Sequence, residues 1–376
     1  MNSLSVLVFA EYGWRNGGEN SWLAVAEVLR KRGFEFKIAC PAKTELSNHL
    51  NDIGMKTIDW QLAHASGTRK TQDEIRADIS EIIRRCEPDI VHANSLSSSR
   101  LVGPVTQQLK TPALGYLRDI IKISRKAMSD INGLDSIVAV SAATRNFHID
   151  NGLSAEKSTV IHNGVDLEHF KPAKKSASTH HELGLKPGTR LVLCIGQIGM
   201  RKGTHIVIQA FNNLCRTFND VALLLVGMRN SVKDEAIEYE QQCRQLGNSN
   251  DHVFWLGRRN DASQLMNSAD VLLHGARQEP LGRVLLESLA SGLPFVATDV
   301  GGTREIIVEP SLQDQVLVDI DCVDAMTNKS AAILGDATLQ KQIAADFRNR
   351  AIQQFNIERC ADELLEAYNR ILVARS

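Results

Sequence analysis

No stretch of this 376-residue chain approaches the roughly 20 consecutive apolar residues that a membrane-spanning helix requires. The opening stretch, Met1 to Ala10, has neither the basic leader nor the cleavage signature of a secretory signal, and its apolar run is strand length. The seven cysteines, at 40, 86, 194, 215, 243, 322 and 360, are odd in number and never form a C-x-x-C pair. That usage fits a reduced, cytoplasmic protein whose thiols serve mainly as small core residues. A net charge of -1 provides no global basic field, so binding to nucleic acid is not expected. No H-x-x-x-H, H-E-x-x-H or D-x-D cluster stands at a plausible site, and nothing calls for a metal. Gly-x-Ser-x-Gly is missing too, which removes the commonest hydrolase elbow.

What is present is an ordinary globular balance, 43% hydrophobic and 23% charged, over a length sufficient for two domains. In the first half, apolar runs at Val6–Phe9, Glu35–Ala39, Ile90–Ala93, Ala113–Leu117 and Ser136–Val140 read as strands. Helical patterns lie between them near 18–32, 72–86, 97–109 and 142–150. A second series begins at Arg190–Gly196 and continues with Val221–Val226, Val253–Leu256, Val271–His274 and Phe295–Thr298. Its helices fall near 203–218, 233–246, 261–268, 283–291 and 302–308. Such alternation implies parallel βαβ units covered on both faces. The polar run Lys171–Thr179 lacks periodicity and reads as a linker, so two α/β domains join near residue 175. Beyond about residue 322 the pattern is helical. The amphipathic stretch Ile357–Tyr368 packs either on its own domain or back on the first.

The motifs sit at strand-to-helix turns. In QEPLGRVLLE, residues 278–287, Glu279 lies in the turn and Glu287 inside the following helix, which Gly282 opens. Backbone N–H groups at such an N-terminus can hold a phosphate, and two carboxylates beside it can meet sugar hydroxyls. Together these suggest a sugar nucleotide. Gly17 and Gly18 follow the first strand, either letting backbone approach a ligand or serving a tight turn of positive φ; the spacing is not G-x-G-x-x-G. Lys202, in GQIGMRKG at 196–203, is a natural point charge for a diphosphate; Arg201 either assists or is a solvated surface residue. Gly301 and Gly302 close the ligand site or form a plain βα loop. His92 at a strand end reads as structural rather than catalytic, while Arg118 and Asp119 either meet a substrate or pair with each other. The basic and isoleucine-rich run 118–126 is either a solvated helix face or a surface for anionic membrane or acceptor.

Taken together, these motifs resemble the retaining glycosyltransferases of family 4, glycosyl transferases group 1. The resemblance runs from about residue 4 to 310. It rests on the Gly17-Gly18 loop, VSAATRNF at 140–147, VIHNGVDLEHFKP at 160–172, GQIGMRKG, VFWLGR at 253–258, EPLGRVLLE at 279–287 and ATDVGGTREI at 297–306. It implies the GT-B fold, two Rossmann-like doubly wound parallel-sheet domains facing each other across a cleft. The acceptor-side domain would span 1–172, joined by the C-terminal helix 357–376, and the donor domain 186–356. By the same resemblance Glu279 lies near the transferred sugar, Glu287 holds the ribose and Lys202 the diphosphate. Gly17, Gly18, Gln197, Arg201, Arg258, Leu281 and Gly282 complete the donor site, with Arg118 catalytic on the acceptor side. Asn163-Gly164-Val165-Asp166 matches an interdomain motif of structural character.

Two departures matter. Gln197 stands where many relatives carry an arginine, and the first domain lacks the histidine that many place after the fifth strand. The implied activity is metal-independent, cofactor-free transfer from a UDP- or GDP-sugar to a glycan, lipid-linked or small-molecule acceptor, in cell-surface polysaccharide or glycoconjugate synthesis. The expected place is the cytoplasm, with peripheral contact at the inner membrane face. The rival reading is a catalytically inactive nucleotide-sugar-binding partner subunit.

Overall fold

A computed structural model describes residues 4–248 and 250–375; the start of the N-terminal stretch read above and residue 376 of the expected C-terminal helix lie outside them. The chain divides into two compact units, Met1–Gly164 with Ile357–Ser376 and Val165–Asn356. None of the described helices is long and apolar enough to cross a membrane.

In the first unit the strands are β1 (Ser5–Phe9), β2 (Glu35–Cys40), β3 (Lys56–Asp59), β4 (Ile90–Ala93), β5 (Ala113–Leu117), β6 (Ser136–Ala139) and β7 (Ser158–Val160). They form one parallel sheet in the order β3-β2-β1-β4-β5-β6-β7. Helices α1 (Gly17–Lys31), α2 (Glu45–Asp52), α3 (Gln72–Cys86), α4 (Leu96–Leu109), α5 (Arg125–Asn132) and α6 (Ala142–Asp150) make the crossovers. The central strands β1, β4 and β5 are buried along nearly their whole length, as their continuous apolar runs require. The short β3 and β7, and helices α2 and α5, carry too little apolar periodicity to announce themselves in sequence. The run 118–126 is not a helix face: it is irregular until Ser124, whose side chain caps α5.

The C-terminal helix, Ile357–Arg375, completes this unit. It buries Ile357, Cys360, Ala361, Leu364, Ala367, Tyr368 and Ile371, a single stripe at helical spacing. Tyr368 Oη lies 2.7 Å from His92 Nδ1, and the His92 ring is fully buried, so His92 is a core residue tying β4 to this helix.

In the second unit, strands β8 (Arg190–Ile195), β9 (Val221–Val226), β10 (Val253–Gly257), β11 (Val271–His274), β12 (Phe295–Thr298) and β13 (Leu317–Val318) form a parallel sheet ordered β10-β9-β8-β11-β12-β13. Its helices are α7 (Ser178–Glu182), α8 (Thr204–Leu214), α9 (Asp234–Asn248), α10 (Ala262–Ser268), α11 (Arg283–Ser291), α12 (Thr303–Ile306), α13 (Pro310–Val316), α14 (Val323–Gly335) and α15 (Ala337–Gln354). The chain enters this unit at Val165, so the polar run Lys171–Thr179 lies inside it rather than between units. The reason is side-chain anchoring: Ala173 N–H donates to Asn267 at 2.9 Å, Lys175 pairs with Asp270, and Arg348 donates to the carbonyls of Leu167 and Phe170.

Two glycines fix how neighbouring loops cross. Gly203 has φ +61°, and a Cβ there would sit 1.8 Å from the Gly275 carbonyl oxygen. Only glycine permits that approach, and it draws the turn after β8 onto the turn after β11. Gly17 and Gly18 serve differently. Neither has positive φ, and both lie in the first turn of α1, with open space around Gly17. Gly203→Ala is expected to lower unfolding stability by about 2–4 kcal/mol in urea denaturation. Gly17→Ala is expected to change it by less than about 1 kcal/mol.

Candidate active site

In each sheet the strand order reverses once, between β1 and β4 and between β8 and β11. The crevice at the carboxyl end of such a reversal is where open α/β sheets bind ligands. In the second unit the two helices starting there, α8 after Gly203 and α11 after Gly282, have a glycine at the N-cap and so no capping side chain from that residue. By contrast α3, α4 and α6 of the first unit are capped by Thr71, Ser95 and Ser141. In α8 the His205 N–H donates to Tyr239 Oη at 3.2 Å and the Ile206 N–H to the Gly203 carbonyl at 2.9 Å, so its opening turn is largely satisfied, and the N-terminus of α11 is the better placed of the two for an anion.

The turn crossing places Lys202 beside Glu279. The two loops are stitched by Arg277 N–H to the Arg201 carbonyl at 2.9 Å and by Arg201 Nη1 to the Gln278 carbonyl at 3.2 Å. Lys202 Nζ then pairs with Glu279 Oε2. His274, the last residue of β11, reaches the same oxygen through Nε2 at 2.9 Å. Gly302 N–H donates to the Glu279 carbonyl at 3.0 Å, so the Gly301-Gly302 turn also borders this cluster. Burial pushes the Glu279 pKa up, but the Lys202 ammonium and the His274 hydrogen bond outweigh it and hold the carboxyl well below the usual range. His274 is pushed down by burial, with only partial restoration from Glu279, and is neutral at neutral pH.

Glu287 has another environment. It is buried one turn into α11, where Arg283 Nε meets Oε1 at 2.7 Å. Here burial wins, and the carboxyl pKa is raised despite Arg283 and His169. Leu281 is buried, leaving only its backbone for a ligand. Gln197 is half-buried two residues after the end of β8, and Arg201 and Arg258 are exposed. Of the donor-side expectations, Lys202, Glu279, Gly282 and Arg201 converge on one turn crossing. His274 and Arg283 are additions. His274 was visible in sequence only as the polar end of a buried strand.

In the first unit, Arg118 lies over the Tyr116 ring at 3.9 Å and donates to Asn94 Oδ1 at 3.1 Å and Asn163 Oδ1 at 2.9 Å. Its stem faces Gly18, where an added Cβ would sit 3.1 Å away. Arg118 and Gly18 therefore share one wall at the β1–β4 reversal. Burial pulls the Arg118 pKa down from its ordinary value. Glu11 follows β1 there too; burial pushes it up to about 7 although Ser95 Oγ donates to it at 2.5 Å.

The two halves match known family models: residues 15–169 match Glycosyltransferase Family 4 and residues 176–354 match Glycosyl transferases group 1. The chain belongs to glycosyltransferase family 4. Among curated relatives it is 29% identical over 249 residues to alpha-maltose-1-phosphate synthase of Mycobacterium tuberculosis. That alignment covers 63% of each protein, so the chain spans less than two thirds of this relative's length. It is 22% identical over 369 residues, 92% of each, to UDP-Gal:alpha-D-GlcNAc-diphosphoundecaprenol alpha-1,3-galactosyltransferase of Escherichia coli. Anabaena HepE, solved in complex with UDP-glucose, superposes with a TM-score of 0.85 over 98% of this chain and all of that one, at 21% identity. The fold is GT-B, two Rossmann-like α/β domains.

Ionised Glu279 contributes stability that is complete above its unfolded-state pKa near about 4.3 and declines as pH falls through that value toward the lower folded one. Lys202→Met leaves the buried carboxylate without its cation and is expected to cost about 3 kcal/mol or more near pH 7. Urea titrations of the wild type and this variant should show that gap narrowing toward about pH 4. A gap independent of pH would contradict the electrostatic account of the pair.

Proposed function

We propose that this chain is a hexosyltransferase that moves a sugar from a nucleotide-sugar donor to an acceptor hydroxyl with retention of anomeric configuration. The observation that carries the reading is the Lys202–Glu279–His274 cluster at the turns that open α8 and α11. The cluster joins an ammonium, an ionised carboxylate and the N-terminus of α11, the groups a diphosphate and a sugar need together. The UDP-sugar bound to the HepE relative and the donor named for the E. coli relative favour a UDP-sugar here. The E. coli relative's acceptor makes a glycan or lipid-linked hydroxyl the first to try, and cell-surface glycoconjugate synthesis the setting.

In this reading Lys202, Arg201 and the N-terminus of α11 stabilise charge on the departing diphosphate. The bond from the anomeric carbon to phosphate oxygen breaks as the acceptor oxygen bonds to the same face. The acceptor proton passes to the leaving phosphate oxygen, so no separate base is required. Glu279 orients sugar hydroxyls and Glu287 the ribose. Arg201 offsets the charge that Gln197 does not supply, and no metal or other cofactor takes part.

Release of nucleoside diphosphate from UDP-glucose, UDP-galactose and GDP-mannose, with and without acceptors, tests the reading. Glu279→Gln and Lys202→Gln are expected to lower kcat at least about 100-fold. Glu287→Gln is expected to raise the donor KM about 10-fold with a smaller change in kcat. Near-normal turnover in Glu279→Gln would remove the assigned site. Donor binding without turnover across acceptors would favour the inactive-subunit reading.

A further inference from the structure

Both partners of Glu279, Lys202 Nζ and His274 Nε2, meet the same carboxylate oxygen, Oε2, and neither contact uses Oε1. The two partners differ in how they are held. His274 is 3% exposed, ends a buried strand, and its carbonyl accepts from Thr298 Oγ1 of β12 at 3.5 Å. It cannot follow a ligand. Lys202 sits on the three-residue turn Met200–Lys202 at the end of a flexible four-carbon stem. An ionised carboxylate only accepts, so the hydrogen of the 2.9 Å contact belongs to His274 Nε2. Nδ1 is the nitrogen that remains for a proton.

We propose that His274 is the positioning residue that keeps Glu279 in place when the donor's diphosphate draws Lys202 toward itself, and that it takes up a proton from solvent as this happens. The inference rests on the donor-site reading above. In the free protein one carboxylate is matched by one ammonium, and the charged groups facing His274 are Lys202 and Arg201 from the turn after β8 and Glu279 from the turn after β11. Cys194 of β8, near Lys202, is pushed up to about 12 by burial and stays a neutral thiol. The two cations and burial disfavour an imidazolium, and Glu279 opposes them only in part. A diphosphate adds two negative charges against the same cations and takes a share of Lys202, which reverses that balance. Protonation at Nδ1 then turns the existing Nε2–H contact into a charge-assisted hydrogen bond on unchanged atoms. The N–H bond forms at Nδ1 as hydronium or the buffer acid gives up its proton, and the conjugate base stays in solution. Oε1 stays available to a sugar hydroxyl throughout.

Calorimetric titration of the full chain with UDP-glucose, UDP-galactose and GDP-mannose, in buffers of different ionisation enthalpy, counts protons exchanged on binding. For the wild type near pH 7.5 the expected result is uptake of about half to one proton per donor bound. A group whose pKa rises on binding favours the complex at low pH, so affinity should weaken as pH rises, by up to about 10-fold per unit. In His274→Gln the amide keeps a hydrogen-bond donor to Glu279 but cannot ionise. Binding should persist there, with the uptake lost and the pH slope flattened. His274→Asn, with the donor displaced, should lose the uptake and also weaken kcat. Wild-type binding without proton exchange, or uptake unchanged in His274→Gln, overturns the proposal and leaves the donor site standing. Binding of none of the probes overturns the donor-site reading and this proposal with it.

Discussion

The approach of the Gly203 backbone to the Gly275 carbonyl is the constraint on which the second unit's chemistry depends. Two βα turns that leave adjacent strands at a sheet reversal would ordinarily diverge around their side chains. Glycine on both sides removes that obstacle, and the turns can be stitched by the Arg277 N–H to the Arg201 carbonyl and by the Arg201 side chain to the Gln278 carbonyl. Lys202, one residue before the crossing, and Glu279, four residues beyond it, are then within bonding distance. The ion pair is a consequence of backbone geometry rather than of two long side chains finding each other. That lowers the conformational entropy lost in forming it.

The two acids of EPLGRVLLE show how one short motif can hold two chemically different carboxylates. Both are buried, so desolvation opposes ionisation in both. At Glu279 an ammonium and an imidazole N–H converge on one oxygen, and attraction exceeds the burial penalty. At Glu287 a single arginine one helical turn back compensates only in part. Ionisation is thus favoured at the first and disfavoured at the second relative to a free carboxyl. Spacing in the sequence does not distinguish them; their neighbours do.

Much of the architecture was legible because parallel strands buried on both faces must be written as short unbroken apolar runs. Val6–Phe9, Val221–Val226 and Val271–His274 are such runs, and they stand where the structure has strands. Of the edge strands only Val253–Gly257 was legible. The strands Lys56–Asp59 and Leu317–Val318 are too short or too polar for periodicity to speak. Within the site, Glu279 and Lys202 could be singled out because charge beside glycine at a helix start has few bland explanations. His274 could not, because its meaning comes from a partner five residues away across a turn. Gly17 and Gly18 were open to a strained-turn reading that their ordinary helical backbone removes.

The C-terminal helix makes the first unit discontinuous in sequence while the second is one uninterrupted segment. The chain leaves and returns side by side, with Val165 N–H donating to the Phe355 carbonyl at 2.7 Å. His92 and Tyr368 meet across 276 residues of chain. During synthesis the second unit therefore has its full complement of residues before the first does. Until the helix Ile357–Arg375 emerges, the β4 side of the first sheet lacks the stripe that covers it, and an apolar face waits uncovered.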